Sequence, residues 1–293
     1  MKKKINDMQM FVNLFLILMS AIIIIPLLYV LSVSFSNEKD IMNYGYELIP
    51  RNIDLAAYKY VFKNPQSIIN SYGVTALFSA LSMAMGVLAM AMFAYPLSRR
   101  FLKGRKALSF YLYFTMLFSG GLVPSYILIT QYLHLGDTIW VYVLPTLISP
   151  WHVFMLRTFF SDIPESLYES AYLDGASEYT IFAKIILPIS KPAIATVALL
   201  IFLGKWNDWY TSMLYINEDN LISLQYLLQR LLLNAQLLQS RSGMTNTMVN
   251  LSEIPTETVK MAMAIVVAGP ALLVFPFFQK YFVKGMTMGS VKG

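Results

Sequence analysis

No cysteine occurs in the sequence, which excludes disulfides, thiolate metal sites and a cysteine nucleophile. Histidine is almost as scarce: His134 and His152 lie far apart, with no His-Glu-x-x-His pattern and no clustered carboxylates. Each reads as a packing or interfacial residue, and no metal is assigned. There is no Gly-x-x-x-x-Gly-Lys-[Ser/Thr] phosphate loop, because Gly204-Lys205 lacks the upstream glycine, and no Gly-x-Ser-x-Gly nucleophile turn. Any ATP hydrolysis that serves this chain therefore belongs to another chain, and an intramembrane enzyme lacks its chemistry. Charge is sparse at 13% of residues, against 57% hydrophobic and a mean hydropathy of +0.57. That balance places the chain outside soluble compositions and among multi-pass membrane proteins. No solenoid repeat and no long Gly, Ser or Pro-rich linker breaks it, so residues 1–293 read as a single membrane domain.

What is present is a series of apolar stretches. Phe11 to Val33 follows the basic start Met1 to Lys4 but is longer than a signal-peptide core, and it reads as a retained anchor. Further stretches are Tyr72 to Leu97, Ala107 to Ile129, Ile139 to Leu156, Ala193 to Leu214 and Val259 to Phe282. Backbone polar groups must be paired internally in lipid, and barrel-type alternation is missing, so the expected fold class is all-α with six transmembrane helices. The net charge of +6 sits mainly at span ends rather than in a nucleic-acid-binding face. Lys and Arg favour the N-terminus, the Arg99 to Lys106 loop, the Arg157 to Lys191 loop and the C-terminal tail, so both termini are expected to be cytoplasmic. The cytoplasmic side then holds a loop at about residues 158–192 and a tail at about 283–293, while about 34–71 and 215–258 are external. In the second of these, Leu221 to Leu238 has helical leucine spacing. Small residues four apart, Ala80 with Ala84 and Ser82 with Gly86, permit close helix packing.

The loop around Glu169 to Pro192 is polar and helix-forming. Asp162 or Ser161 can cap a first helix, Pro164 suits its first turn, Gly175 can end it in the left-handed conformation, and a second helix can start at Ser177. Ile163, Leu167 and Ala171 form an apolar stripe beside an acidic one of Glu165 and Glu169. Spacing alone fits either a docking surface for a partner or an amphipathic connector on the membrane surface.

In the fifth stretch, GKWNDWY puts Lys205 and Asp208 on one helix face, where each must pair or face water. Trp206, Asn207, Asp208, Trp209 and Tyr210 combine aromatic faces with amide and carboxylate groups, a mixture that suits sugar rings along a polar path. The alternatives are a structural salt bridge and ordinary aromatic anchoring at the interface.

The sequence ESAYLDGASEYTIFAKIILPISKP, residues 169–192, resembles the EAA loop of ABC importer permeases. Glu169, Ala171, Asp174 and Gly175 occupy the family positions, and Ser170 departs from them. Asn70-Ser71, FSGGLVPSYILI at 118–129, LHLGDT at 133–138 and WNDW at 206–209 extend the likeness over nearly the whole chain, to carbohydrate-uptake permeases of the maltose-transporter type. The segment Phe118 to Gly121 with Pro124 is similar to the subgroup for oligosaccharides from complex polysaccharides. The resemblance implies a type I ABC importer transmembrane fold in a bacterial cytoplasmic membrane. It implies coupling to an ATPase through Glu165, Glu169, Ala171, Asp174 and Gly175, and a tail whose Gly289, Val291 and Lys292 reach the ATPase dimer. The implied partners are a second homologous permease subunit, two ATPase subunits carrying ATP and Mg, and an extracellular or periplasmic solute-binding protein that delivers an oligosaccharide. No cofactor is expected on this chain. The reading from another class is an ion-coupled secondary carrier or channel, with Lys205 and Asp208 as the coupled pair.

Overall fold

A computed structural model describes residues 7–242 and 256–288. Among these the regular structure is helical, with one isolated antiparallel bridge between Ser36 and Ile53. The first helix, α1 (Asp7–Ser34), is apolar on every side, and its Ile17, Ile22, Ile23 and Leu27 are exposed. A helix without a polar face belongs in lipid or within a larger assembly. Short helices α2 (Glu38–Tyr44) and α3 (Ala56–Val61) precede α4 (Pro65–Ser98). Among the described residues three helical segments are long and apolar enough to cross a membrane: Met8–Ser34, Pro65–Ser98 and Glu257–Val274. They coincide with the first, second and last stretches expected from hydropathy.

The middle stretches are not continuous helices. The chain bends by 110° between α5 (Arg105–Leu117) and the helix α6 (Leu122–Ile127) with its π-helical extension Leu128–Tyr132. The break falls on the glycine pair: Phe118 is extended and Gly121 has φ +87°, a conformation natural to glycine. The stretch Ile139 to Leu156 is divided into α7 (Trp140–Val143), a 3-10 turn Leu144–Thr146 and α8 (Pro150–Ser161). Pro145 and Pro150 lack the N–H that a through-helix would need. After α9 (Glu165–Leu173) come α10 (Glu178–Ile181), a π-helical turn Phe182–Ile186 and α11 (Leu187–Ile189), and then α12 (Lys191–Trp206) at a 79° bend. Helix α12 stops at Asn207, so Ala193 to Leu214 is also interrupted, and the chain resumes as α13 (Tyr210–Tyr215), α14 (Leu224–Ser242) and α15 (Glu257–Met288). Counting each bent pair as one span gives up to five. Length and hydropathy do not register such breaks, because proline and glycine alter backbone geometry without making a window much less apolar.

Backbone contacts divide the chain into two compact units. One joins Met1–Pro65 with Leu228–Gly269. Within it, Asn37 caps α2 through Lys39 N at 3.0 Å and donates to Asp54, and Glu38 meets the first turn of α15. The other joins Gln66–Leu227 with Pro270–Gly293. Its larger core packs Met90, Ala94, Leu97, Leu156, Phe160, Ile181, Ile186 and Val197 together, drawing on α4, α8, α10, α12 and the π turn between them. A second core stacks Phe78 on Tyr142 at 4.2 Å, with the Tyr142 hydroxyl donating to Leu221 O at 2.8 Å. Of the small-residue pairs, Ser82 and Gly86 are buried whereas Ala80 and Ala84 are exposed. A Cβ on Gly86 would lie 3.3 Å from Leu147 O and 3.6 Å from Ile201 Cδ1, so the glycine permits that close approach.

Candidate functional site

Helix α9 is held against the end of α4 by one arginine. Arg99, the residue after α4, places its guanidinium 3.2 Å from Glu165 Oε1, donates to the Tyr172 hydroxyl at 3.2 Å, and lies 3.6 Å from the centre of the Tyr168 ring. Glu165 is about half exposed, so that ion pair contributes no more than about 1 kcal/mol. The face of Tyr168, which is buried, is the stronger anchor. Glu178 then accepts from the hydroxyls of both Tyr95 and Tyr172, linking α4, α9 and α10. Burial, followed by the bond to Glu178, pushes the Tyr172 phenol above its ordinary pKa, so it remains a donor at neutral pH. Tyr95, Arg99, Tyr172 and Glu178 line a cleft of about 730 Å³ together with Met92, Phe101 and Phe182.

The turn between α9 and α10 points outward. Gly175 has φ +76°, and its N–H bonds to Tyr172 O at 3.0 Å while Ala176 N bonds to Ala171 O at 2.9 Å. Together these form a Schellman end. Ser177 caps α10 by accepting from Thr180 N. Glu169, Asp174 and Gly175 are exposed, and between them Leu173 is 89% exposed, with Tyr179 at 83% just beyond. Two aliphatic or aromatic side chains amid carboxylates on a rigid corner offer a partner both apolar area and charge.

Two expectations are corrected. Neither Asp162 nor Ser161 caps α9: Ser161 ends α8, Asp162 follows it, and Pro164 occupies the cap position without a side-chain hydrogen bond. The buried face of the loop is Ile163, Tyr168 and Ala171, whereas Leu167 is exposed, because the true helix begins after Ile163 and the fourfold spacing does not run through Pro164. Arg99, Tyr95 and Glu178 were not singled out from sequence. Tyr95 and Arg99 stand at the end of α4 while Glu178 lies 83 positions beyond Tyr95, and only a charged residue directly after an apolar helix hinted at Arg99.

The GKWNDWY segment separates into buried and open groups. Lys205, 9% exposed, pairs with Asp208 at 3.5 Å, while Asp208 also accepts from Thr211 N at 3.0 Å and Thr211 Oγ1 at 2.7 Å. Trp206 is buried against Phe202 and Tyr72. Asn207, Trp209 and Tyr210 are exposed, with Trp209 edge-on to Tyr210 at 5.7 Å and Asn207 accepting from Gln225. Asp208→Asn is expected to lower stability by ~2 kcal/mol, since it leaves the Lys205 ammonium largely buried without its counter-charge. Thermal unfolding measures this, and unchanged uptake with an unchanged substrate range would confine the pair to structure. The tail residues Gly289, Val291 and Lys292 lie outside the described residues.

The loop before α7 carries a further polar node. Asp137, at φ +53°, accepts from the backbone and side chain of Asn217 and from Glu218 N. The Asn217 side-chain bond, then the backbone bonds, hold its carboxyl below the usual range. The contact ties the LHLGDT segment to the chain beyond α13.

Residues 82–288 match the family described as binding-protein-dependent transport system inner membrane component. The chain is 39% identical over 296 residues to the polygalacturonan/rhamnogalacturonan transport system permease protein of Bacillus subtilis (strain 168), covering 100% of both. It is 28% identical to the arabinooligosaccharides transport system permease protein of Halalkalibacterium halodurans, over 93% of this chain and 92% of that one. Among solved structures, a bacterial ABC transporter involved in the import of the acidic polysaccharide alginate matches with a TM-score of 0.77 at 25% identity, covering 96% of this chain and 99% of that one. These likenesses extend over the exposed turn, the broken spans and the long apolar helices alike. This chain therefore belongs to the binding-protein-dependent transport system inner membrane component family, as a multi-pass ABC permease component and not an enzyme.

Proposed function

We propose that this chain is one of two unlike membrane subunits of a type I ABC importer, taking up an oligosaccharide delivered by an external solute-binding protein. Residues 1–293 form one permease domain with six membrane crossings and both termini cytoplasmic. The loop at about 158–192 then faces two ATPase subunits, which bind ATP and Mg, and this chain carries no cofactor. Glu165, Glu169, Ala171, Asp174 and Gly175 form the coupling element, and Gly289, Val291 and Lys292 form the tail contact. The observation that carries this reading is the exposed corner from Glu169 to Gly175, fixed to α4 by Arg99. A helix pinned at its base and open at its tip transmits displacement as a lever does, which alternating access requires. The names of the relatives, which refer to polygalacturonan/rhamnogalacturonan, to arabinooligosaccharides and to the acidic polysaccharide alginate, favour fragments of complex polysaccharides. Asn207, Asp208, Trp209 and Tyr210, with Trp206 behind them, are the candidate path.

The test is uptake of labelled oligogalacturonides and neutral arabino-oligosaccharides into vesicles holding the reconstituted assembly. Uptake is expected only with the ATPase, the binding protein and internal ATP all present, and Glu169→Arg is expected to reduce it at least tenfold without loss of the subunit from the membrane. Uptake by this chain alone, driven by an ion gradient, would overturn the reading in favour of a secondary carrier working through Lys205 and Asp208.

A further inference from the structure

A second cleft, of about 650 Å³, opens where α5 begins. Its wall carries Arg100, Arg105, Lys106 and Arg157, together with Ser109, and among the described residues no carboxylate lines it. Among the described residues none of these four cations makes an ion pair, unlike Arg51, Arg99, Lys205 and Lys260, which do. Arg105 and Arg157 are half-buried, and Arg105 Nε is buried without a hydrogen-bond partner. Arg157 donates to Ser109 Oγ at 3.2 Å, which brings its guanidinium from α8 onto α5. Burial, and then the neighbouring Arg105 charge, hold Arg157 below the ordinary arginine pKa.

The local helix makes this arrangement more unfavourable. Arg105 and Lys106 occupy the first turn of the 13-residue α5, whose preceding residue Gly104 supplies no side-chain cap. The N-terminus of a helix carries partial positive charge and unpaired N–H groups, so cations there repel it, whereas an anion would be attracted. Four cations, a helix N-terminus and a donor without a partner therefore surround a space to which no described carboxylate brings a counter-charge.

The surroundings distinguish between anions. Phe101 is 82% exposed beside the cleft, and Phe110, Tyr111 and Leu108 are exposed along α5. An anion that fits has a phosphate head and apolar chains able to lie along that face, at the end of a span where lipid headgroups lie. We propose that this cleft binds the phosphate headgroup of an anionic phospholipid, whose acyl chains pack on α5. The lipid completes the α4–α5 turn at the base of the lever, since Arg99 and Arg100 are adjacent.

The full importer assembly, delipidated in detergent, would be titrated with phosphatidylglycerol, with phosphatidylcholine and with inorganic phosphate, and bound lipid counted by native mass spectrometry. Tight retention of phosphatidylglycerol over phosphatidylcholine is expected, with inorganic phosphate competing weakly. The double variant Arg105→Gln/Arg157→Gln is expected to weaken retention about 25-fold, from a factor of roughly five per cation removed. Arg100→Gln/Lys106→Gln, which alters only exposed side chains, gives an independent reading if the first variant folds poorly. Equal retention of both lipids, or retention unaffected by the exposed pair, would overturn the proposal. So would loss of the ATPase subunits from the variant assembly with lipid binding unchanged, which would assign the cleft to a protein partner. None of these outcomes depends on which sugar is transported.

Discussion

Replacing Gly175 with valine is expected to lower ATP-driven uptake about 5- to 30-fold, while asparagine retains most of it. Gly175 stands at φ +76° and closes α9 with the two hydrogen bonds of a Schellman end. No atom lies within 4 Å of where a Cβ would be, so neither substitution collides with a neighbour, and only backbone strain separates them. A β-branched residue in the left-handed region is destabilised by ~1–2 kcal/mol or more, whereas asparagine tolerates it. In a rigid core that strain would be borne as lost stability. On an exposed corner it is relieved by unwinding the last turn, which moves Leu173 and Asp174 away from any surface built to receive them. The measurement is uptake and ATP hydrolysis in reconstituted vesicles beside the thermal stability of the same preparations. Unchanged stability with uncoupled hydrolysis for valine, and near-native behaviour for asparagine, is the expected pair of results. Equal loss in both variants would show that side-chain bulk in the interface is at fault and not the geometry of the turn.

That turn was legible in the sequence because its information is local: a glycine after a helical run, followed by a serine able to cap the next helix. The same holds for the long apolar helices, where composition over ~20 residues suffices. What composition could not supply was the division of the middle stretches. Phe118 to Gly121 and Pro145 to Pro150 lie in windows that remain apolar throughout, and the bend is set by φ angles and missing N–H groups. The site was half legible for a related reason. Glu169, Asp174 and Gly175 are neighbours in sequence, while the residues that fix them, Tyr95, Arg99 and Glu178, come together only when α4 meets α9 and α10. Trp206 shows the converse: its neighbours in GKWNDWY suggested a shared face, but the end of α12 at Asn207 turns the chain there and leaves the ring inside.

The largest loss of stability from a single substitution is expected for Glu38→Ala, at ~3 kcal/mol or more. Glu38 lies in the first turn of α2 and is 8% exposed. One of its oxygens accepts from Thr256 N at 3.0 Å, Thr256 Oγ1 at 3.3 Å and Glu257 N at 2.9 Å, and the other from Thr258 N at 2.9 Å and Thr258 Oγ1 at 2.7 Å. A carboxylate over 200 positions away in sequence thus takes the place of the local cap of α15, with its charge at the positive end of that helix. Removing it strands buried donors at the head of the apolar helix α15, each costing about 1–3 kcal/mol when left unpaired. Glu38→Gln keeps the shape but turns an amide NH₂ toward one of the two sets of donors, so about half the loss is expected. Hydrogen exchange at residues 256–258 separates this cap from a general loosening of the fold: it should accelerate in both variants, and most in the alanine form. Native exchange there in the alanine variant would mean that water replaces the carboxylate at no net cost, and the cap would then be dispensable to α15.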